Sequence, residues 1–165
     1  MNYEKIIIYT DGGCNSTQSK NVGAWAYIIT KPKENDEEEK IYTDSNKVFE
    51  TTNNKMELIA LIEAFKKLDT EKVTSNTIVV KSDSMYLIKG MTQWVDGWKT
   101  NNWKTKLGGD VKNQDLWIKL DSYKTKYKPL FEWVKGHGLT KYNIECDAMC
   151  SKNIKEGIGE LQNIK

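Results

Sequence analysis

The sequence predicts an α/β fold: a five-stranded mixed sheet, an antiparallel meander plus parallel strands, flanked by helices. Three observations predict it. Two-residue alternation and β-branched runs recur at five places along the chain. Stripes of 3.6-residue period separate the later runs, and neither an internal repeat nor an interdomain linker interrupts them.

Residues 3–11 (YEKIIIYTD), 22–30 (VGAWAYIIT) and 40–49 (KIYTDSNKVF) read as three consecutive strands. Residues 33–39 between the second and third are charged and lack apolar side chains, so they read as a solvated turn. A helix is predicted from about Asn54 to Leu68, with Leu58, Leu61, Ile62, Phe65 and Leu68 as its stripe and Thr51, Thr52 or Asn53 to cap it. Residues 77–83 (TIVVKSD) form a short buried strand running into Asp83, and a helical stretch follows to about Val95. Residues 97–112 read as a basic, aromatic loop. Leu116, Leu120, Tyr123 and Tyr127 then mark a helix over 113–127, residues 129–135 (PLFEWVK) a fifth strand, and a last helix runs from Asn143 to about Lys155. That order calls for an antiparallel meander followed by parallel strands with crossover helices.

The length of 165 residues suits a single domain spanning 1–165, and 29% charged with 38% hydrophobic residues is an ordinary soluble composition. No apolar run approaches the roughly 20 residues of a membrane span. Ile6, Ile7 and Ile8 make too short a run for a signal peptide. A cytoplasmic protein is the simplest reading, and a monomer without an obligate protein partner the default one. A net charge of +2 excludes a globally basic nucleic-acid binder, so any attraction for phosphate is local. All 25 basic residues are Lys, which removes bidentate guanidinium contacts and leaves point charges and neutral donors. Cys14, Cys146 and Cys150 are too few for a disulfide framework. The four-residue spacing of Cys146 and Cys150 suits two ligands on a helix face, but the remaining ligands of a closed zinc site are missing.

Four acids occupy telling places. Asp11 ends the first strand in TDGG, Glu57 lies early in the first helix, Asp83 ends the fourth strand in SDS, and Asp147 sits on the last helix. Active sites of open α/β sheets gather beyond the carboxyl ends of strands. Carboxylates brought together there repel unless hard cations such as magnesium join them, and two-metal phosphodiester hydrolysis is the chemistry that follows. Any one of these acids also reads as a cap, an Asx turn or a solvated surface group. Spacing alone therefore leaves both readings open.

The blocks TDGGC, ETTNNKMEL, KSDSMYLIKGMTQW, VKNQDLW and WVKGHG…NIECD resemble, in order, the motif blocks of type 1 ribonuclease H, bacterial type, over residues 10–150. The resemblance implies the ribonuclease H-like fold and a sequence-independent endonuclease for the RNA strand of RNA–DNA hybrids. It implies Mg2+, two ions with substrate bound and replaceable by Mn2+, held by Asp11, Glu57, Asp83 and Asp147, with Asp11 bridging. One ion activates water, the other stabilises the leaving oxygen, and the products carry 5′-phosphate and 3′-hydroxyl ends. His137, the only histidine, matches the loop histidine that assists proton transfer or product departure.

The same resemblance assigns Asn53 and Asn54 to the minor groove of the hybrid and Thr52 to a pocket for a DNA phosphate; capping explains Thr52 or Asn53 as well. Residues 86–112 resemble the basic handle of bacterial members, where Lys99, Lys104, Lys106 and Trp98 are candidates for holding substrate beside Lys89 and Lys112. Trp94 suits packing, and for Trp98 and Trp103 packing and substrate contact stay open. Met85 stands where family members commonly have Gln, residues 15–21 lack the usual Gly/Pro-rich run, and the handle has no Arg. Nothing before the first strand resembles a separate hybrid-binding module, and the initial Met suits a free-standing enzyme over a domain cut from a reverse transcriptase. The Thr52–Glu57 block and the His137 loop argue against an integrase-like nuclease acting on DNA, and the complete acid set against a non-catalytic hybrid binder.

Overall fold

The computed structural model describes residues 1–15, 21–136 and 140–163. The strands are β1 (Asn2–Asn15), β2 (Val22–Pro32), β3 (Glu38–Phe49), β4 (Thr74–Ser82) and β5 (Leu130–Trp133). The helices are α1 (Asn53–Thr70), α2 (Met85–Lys89), α3 (Val95–Thr100), α4 (Gln114–Tyr127) and α5 (Lys141–Gln162). The sheet order is β3-β2-β1-β4-β5. β1–β2 and β2–β3 pair antiparallel, while β1–β4 and β4–β5 pair parallel, which is the mixed sheet the strand order implies.

The Ile6-Ile7-Ile8 run explains why β1 is central. Ile6 and Ile8 join Ile78, Val80 and the stripe of α1 on one face. Ile7 and Tyr9 join Ala24, Ala26, Ile28 and α5 on the other. A strand apolar on both faces is stable only when both are covered. Under α5 the sheet presents Ala24 and Ala26, and the helix answers with Cys146 and Cys150, all buried. The two thiols lie against the carbonyl oxygens of Tyr9 and Asp11, at 3.7 and 3.6 Å. They are packing groups in a narrow seam and belong to no metal cluster among the described residues.

Three local expectations need correction. Residues 33–39 do not form a wholly solvated turn: a short 3-10 turn covers Glu34–Asp36, and Glu38 already belongs to β3. Its carboxylate accepts from Tyr9 Oη at 2.8 Å and Thr30 Oγ1 at 2.7 Å, tying the hairpin to the central strand. β1 runs on beyond Asp11 to Asn15, paired there with β2 alone. Finally, residues 97–100 are helical, because the segment after β4 continues through a π-helical turn, Gly90–Trp94, into α3.

That π turn begins at a close contact. Gly90 lies against the ring of Trp117, a fully buried residue of α4; a Cβ on Gly90 would fall 2.0 Å from the ring. A π turn leaves the backbone ladder imperfect, and Lys124 Nζ donates to the Met91 carbonyl at 2.7 Å while pairing with Asp96 at 3.5 Å. Trp117 also donates to Tyr86 Oη at 3.1 Å and meets Trp98 ring to ring at 5.5 Å. Gly90→Ala should therefore destabilise the fold by about 1–3 kcal/mol, the usual cost of overpacking, and lower Tm by several degrees. An unchanged Tm in thermal unfolding would show that Trp117 can yield.

Candidate active site

The ends of the parallel strands define the site. β4 makes its last pairing with β1 at Thr10↔Ser82, and β5 its last with β4 at Ser82↔Trp133. Asp11 is thus the first residue of β1 beyond its pairing with β4, and Asp83 the first after β4. α1 brings the third acid. Gly12 runs so close to α1 that a Cβ would lie 2.4 Å from the Met56 carbonyl carbon and 2.6 Å from Glu57 N. Only glycine allows that approach, and it delivers Glu57 to the strand end.

Carboxylate oxygens of Asp11, Glu57 and Asp83 lie within 4.8 Å of one another. Asp11 is 5% and Glu57 9% exposed, with Asp83 half-buried. Asp147, half-buried on α5, falls outside this triad but abuts Asp11, on which it acts by charge and by hydrogen bond. Burial, then the charge of Asp83, pushes the Asp11 carboxyl up to about 8, against the opposing amide of Gly12 at 2.9 Å. Glu57 is pushed well above the usual carboxylate range by burial first, then by Asp11 and Asp83, with the Ser84 hydroxyl and the Gly12 amide opposing. Glu57 Oε1 is buried without a hydrogen-bond partner. Oxygen-only ligands, crowded negative charge and an orphaned buried oxygen fit a hard divalent cation.

The structure brings Asp11, Glu57 and Asp83 together and places Asp147 beside them. His137 lies outside the described residues; Gly136 before it runs over the third acid, 3.0 Å from a built Cβ to Asp83 Oδ2. Thr52 caps α1, its side chain accepting from Lys55 N at 3.1 Å, and Asn53 and Asn54 follow it, exposed, at the same end of α1 as Glu57. Met85 opens α2, 45% exposed.

The handle is less free than its lysine count suggests. Lys99 pairs with the buried Asp121 of α4 at 3.1 Å, and Lys104 with Asp110. Lys106 makes no ion pair among the described residues and lines a cleft of about 380 Å³ with Trp94, Trp98, Asn101 and Lys104. Trp98 is half-buried and packed on the core. Sequence reading also passed over three polar groups near the acids. Thr10 and Ser82 are buried side by side, and Asn143, one turn before Asp147, is 2% exposed with Oδ1 unpartnered. Only their polarity inside otherwise apolar stretches could have marked them.

The crowded acids set a pH dependence. A carboxyl raised in the folded state contributes stability that is full below its ordinary value of 3.8 and is lost as pH rises through about 8. The metal-free protein should therefore lose Tm between pH 4 and 8. Asp11→Asn should recover about 1–2 kcal/mol at pH 9, roughly 2–8 °C, and almost nothing at pH 4. Thermal unfolding in chelator checks this; identical curves at pH 9 would remove the charge conflict.

Residues 3–155 match the RNase H family model. Ribonuclease H of Treponema denticola is 40% identical over 154 residues, covering 87% of this chain and 93% of that protein. Ribonuclease H of Wolbachia pipientis wMel is 40% identical over 154 residues, covering 93% and 98%. Among solved structures, LC9-RNase H1, a type 1 RNase H with the type 2 active-site motif, superposes with a TM-score of 0.76 at 25% identity, covering 93% of this chain and 74% of that one. LC11-RNase H1 in complex with RNA/DNA hybrid has a TM-score of 0.66 at 22% identity, covering 93% and 99%, a likeness of fold. With the family match spanning nearly its whole length and bacterial relatives this similar, the chain belongs to the RNase H family.

Proposed function

We propose that this chain is an endoribonuclease that hydrolyses the RNA strand of RNA–DNA hybrids without regard to sequence, leaving 5′-phosphate and 3′-hydroxyl ends. The observation that carries it is the close triad of Asp11, Glu57 and Asp83, the first two buried, where β4 leaves β1, in a chain of this family. Asp11, Glu57, Asp83 and Asp147 would hold two Mg2+ ions, with Mn2+ able to substitute. When bound, the ions supply neutralising charge, an activated water and stabilisation of the leaving oxygen.

The chain's own groups do the rest. Asp11 and Glu57 are fixed by the Gly12 contact before substrate arrives, so little reorganisation is needed at the reacting phosphate. Asn53 and Asn54 offer amides that both donate and accept, suited to a 2′-hydroxyl, and Thr52 one hydroxyl for a phosphate. His137 moves a proton or frees product. The handle over 86–112 holds the DNA strand, with Lys106 and the cleft beside Trp98 as its open contact and Lys99 and Lys104 joining as their ion pairs yield. The enzyme works as one catalytic domain over 1–165, a monomer without an obligate protein partner. Three free thiols suit a reducing cytoplasm, and no described helix is long and apolar enough to cross a membrane.

Asp11→Asn should abolish hydrolysis of hybrid in Mg2+ while hybrid binding persists or tightens, since a negative charge near the scissile phosphate is gone. Near-normal cleavage by that variant, or equal cutting of hybrid, double-stranded RNA and double-stranded DNA by the parent, would defeat the assignment.

Salt dependence probes the handle separately. Each phosphate contact contributes about −0.9 to the slope of log K against log salt. Lys106→Gln should flatten the slope by about one unit, and the triple change with Lys99 and Lys104 by about 2–3 units if all three reach phosphate. Lys99→Gln alone should also lower Tm, because it strands Asp121. An unchanged slope in the triple variant would remove the handle from the binding scheme.

A further inference from the structure

The segment that leaves β5 closes on Asp83. Asp83 and Ser84 form the whole link between β4 and α2, so the third acid sits on a turn, whereas Asp11 lies in a strand and Glu57 in a helix. Three contacts from residues 133–136 reach this turn. Val134 N donates to the Ser82 carbonyl at 2.9 Å, one step beyond the last paired residues, Ser82 and Trp133. Trp133 Nε1 donates to the Asp83 carbonyl at 3.0 Å. Gly136 lies against the acid itself: a Cβ there would fall 3.0 Å from Asp83 Oδ2 and 3.6 Å from its Cγ. The φ of Gly136 is outside the left-handed region, so the backbone does not call for glycine; the room beside the carboxylate does. The core does not call for Trp133 either. Phe131, two residues earlier on the same strand face, packs on the core, while Trp133 is 46% exposed.

We propose that Trp133 is a positioning residue for Asp83: its indole N–H holds the peptide that carries the third acid, and Gly136 leaves the space which that carboxylate occupies. The hydrogen bond does for Asp83 what pairing with Ala26 does for Asp11. It fixes the backbone where strand pairing has ended, so the carboxylate projects from one place before any ligand arrives. Asp83 is therefore held without deep burial, and it is the half-buried member of the triad. An indole N–H donates and cannot accept, so it serves a carbonyl without competing for the cation.

This inference rests on the metal-dependent reading above, and the test keeps the two apart. Mg2+ is titrated calorimetrically into the full chain, with each variant shown to be folded by thermal unfolding. In one protein Trp133 is replaced by benzothienylalanine, which keeps the ring shape and puts sulfur in place of the N–H. In a second it is replaced by azatryptophan with its indole N–H intact. The benzothienyl protein and Trp133→Phe should bind Mg2+ about 10–100-fold more weakly, the range for losing a hydrogen bond that orients a ligand. Both should show a lower kcat on hybrid with KM unchanged, and the azatryptophan protein should match the parent. Gly136→Ala should weaken Mg2+ binding in the same direction, by displacing Oδ2. If the benzothienyl protein binds Mg2+ and turns over like the parent while Asp83→Asn does not bind, the indole only braces the fold. The role of Trp133 is then overturned, whatever its effect on Tm, and the metal site stands. If Asp83→Asn binds Mg2+ undiminished, the metal reading itself falls.

Discussion

Three carboxylates held within 4.8 Å of one another, two of them buried, are the constraint around which the rest of this fold is arranged. Left to themselves such groups separate or take up protons. Here they cannot separate. Glu57 is fixed by backbone contact at Gly12, Asp11 by its pairing with Ala26, and Asp83 by the end of β4, whose carbonyl accepts from Trp133 Nε1 at 3.0 Å. The protonation of Asp11 up to about 8 is the cost of that fixation in the absence of cations. A divalent ion held by these acids would remove the cost and join the elements that carry them, so that stability and activity would draw on the same contacts.

The handle shows the opposite arrangement, charge neutralised rather than concentrated. With arginine absent, each lysine is a point charge that a single carboxylate can occupy. Asp121, Asp110 and Asp96 do so for Lys99, Lys104 and Lys124. The pair with Asp121 differs from the others because Asp121 is buried; it fastens α3 to α4. Exposed pairs such as Lys104–Asp110 contribute little and open readily, so a phosphate can compete for the lysine. On the binding scheme proposed above, a weakly basic handle would in this way stay compact when free and still offer charge to a strand laid along it.

Sequence periodicity carried the sheet well, because β1 and β2 are buried on both faces and read as continuous apolar runs, while β4 alternates between buried and half-buried positions. It failed where a long-range partner decides the outcome. Glu38 looks like a solvated turn residue until Tyr9 and Thr30 close on it from β1 and β2. The helix through 95–100 was hidden because the π turn at Gly90 breaks the 3.6-residue period, and the ring packed on Gly90, Trp117, is 27 positions away. The ion pair of Lys99 has no local signal either, since Asp121 lies on another helix. At the site, Asp11, Glu57 and Asp83 were legible from strand ends and a helix start, whereas the buried hydroxyl residues Thr10 and Ser82 become neighbours only once the register of β1 and β4 is known.

That register also explains why acids from opposite faces of the sheet can meet. By alternation Asp11 belongs with Ile7 and Tyr9, on the face of α5, and this is where Asp147 reaches it. Glu57 comes from α1, across the other face. Further down the strands β4 stands between those faces; after Ser82 it is gone, and the sheet no longer separates them. The end of one parallel strand is therefore what allows both helices to contribute to a single site. The continuation of β1 to Asn15, paired with β2, keeps Asp11 rigid at that open edge. Had β1 stopped at Asp11, the acid would lie on a loop end and lose the fixation on which its crowded position depends.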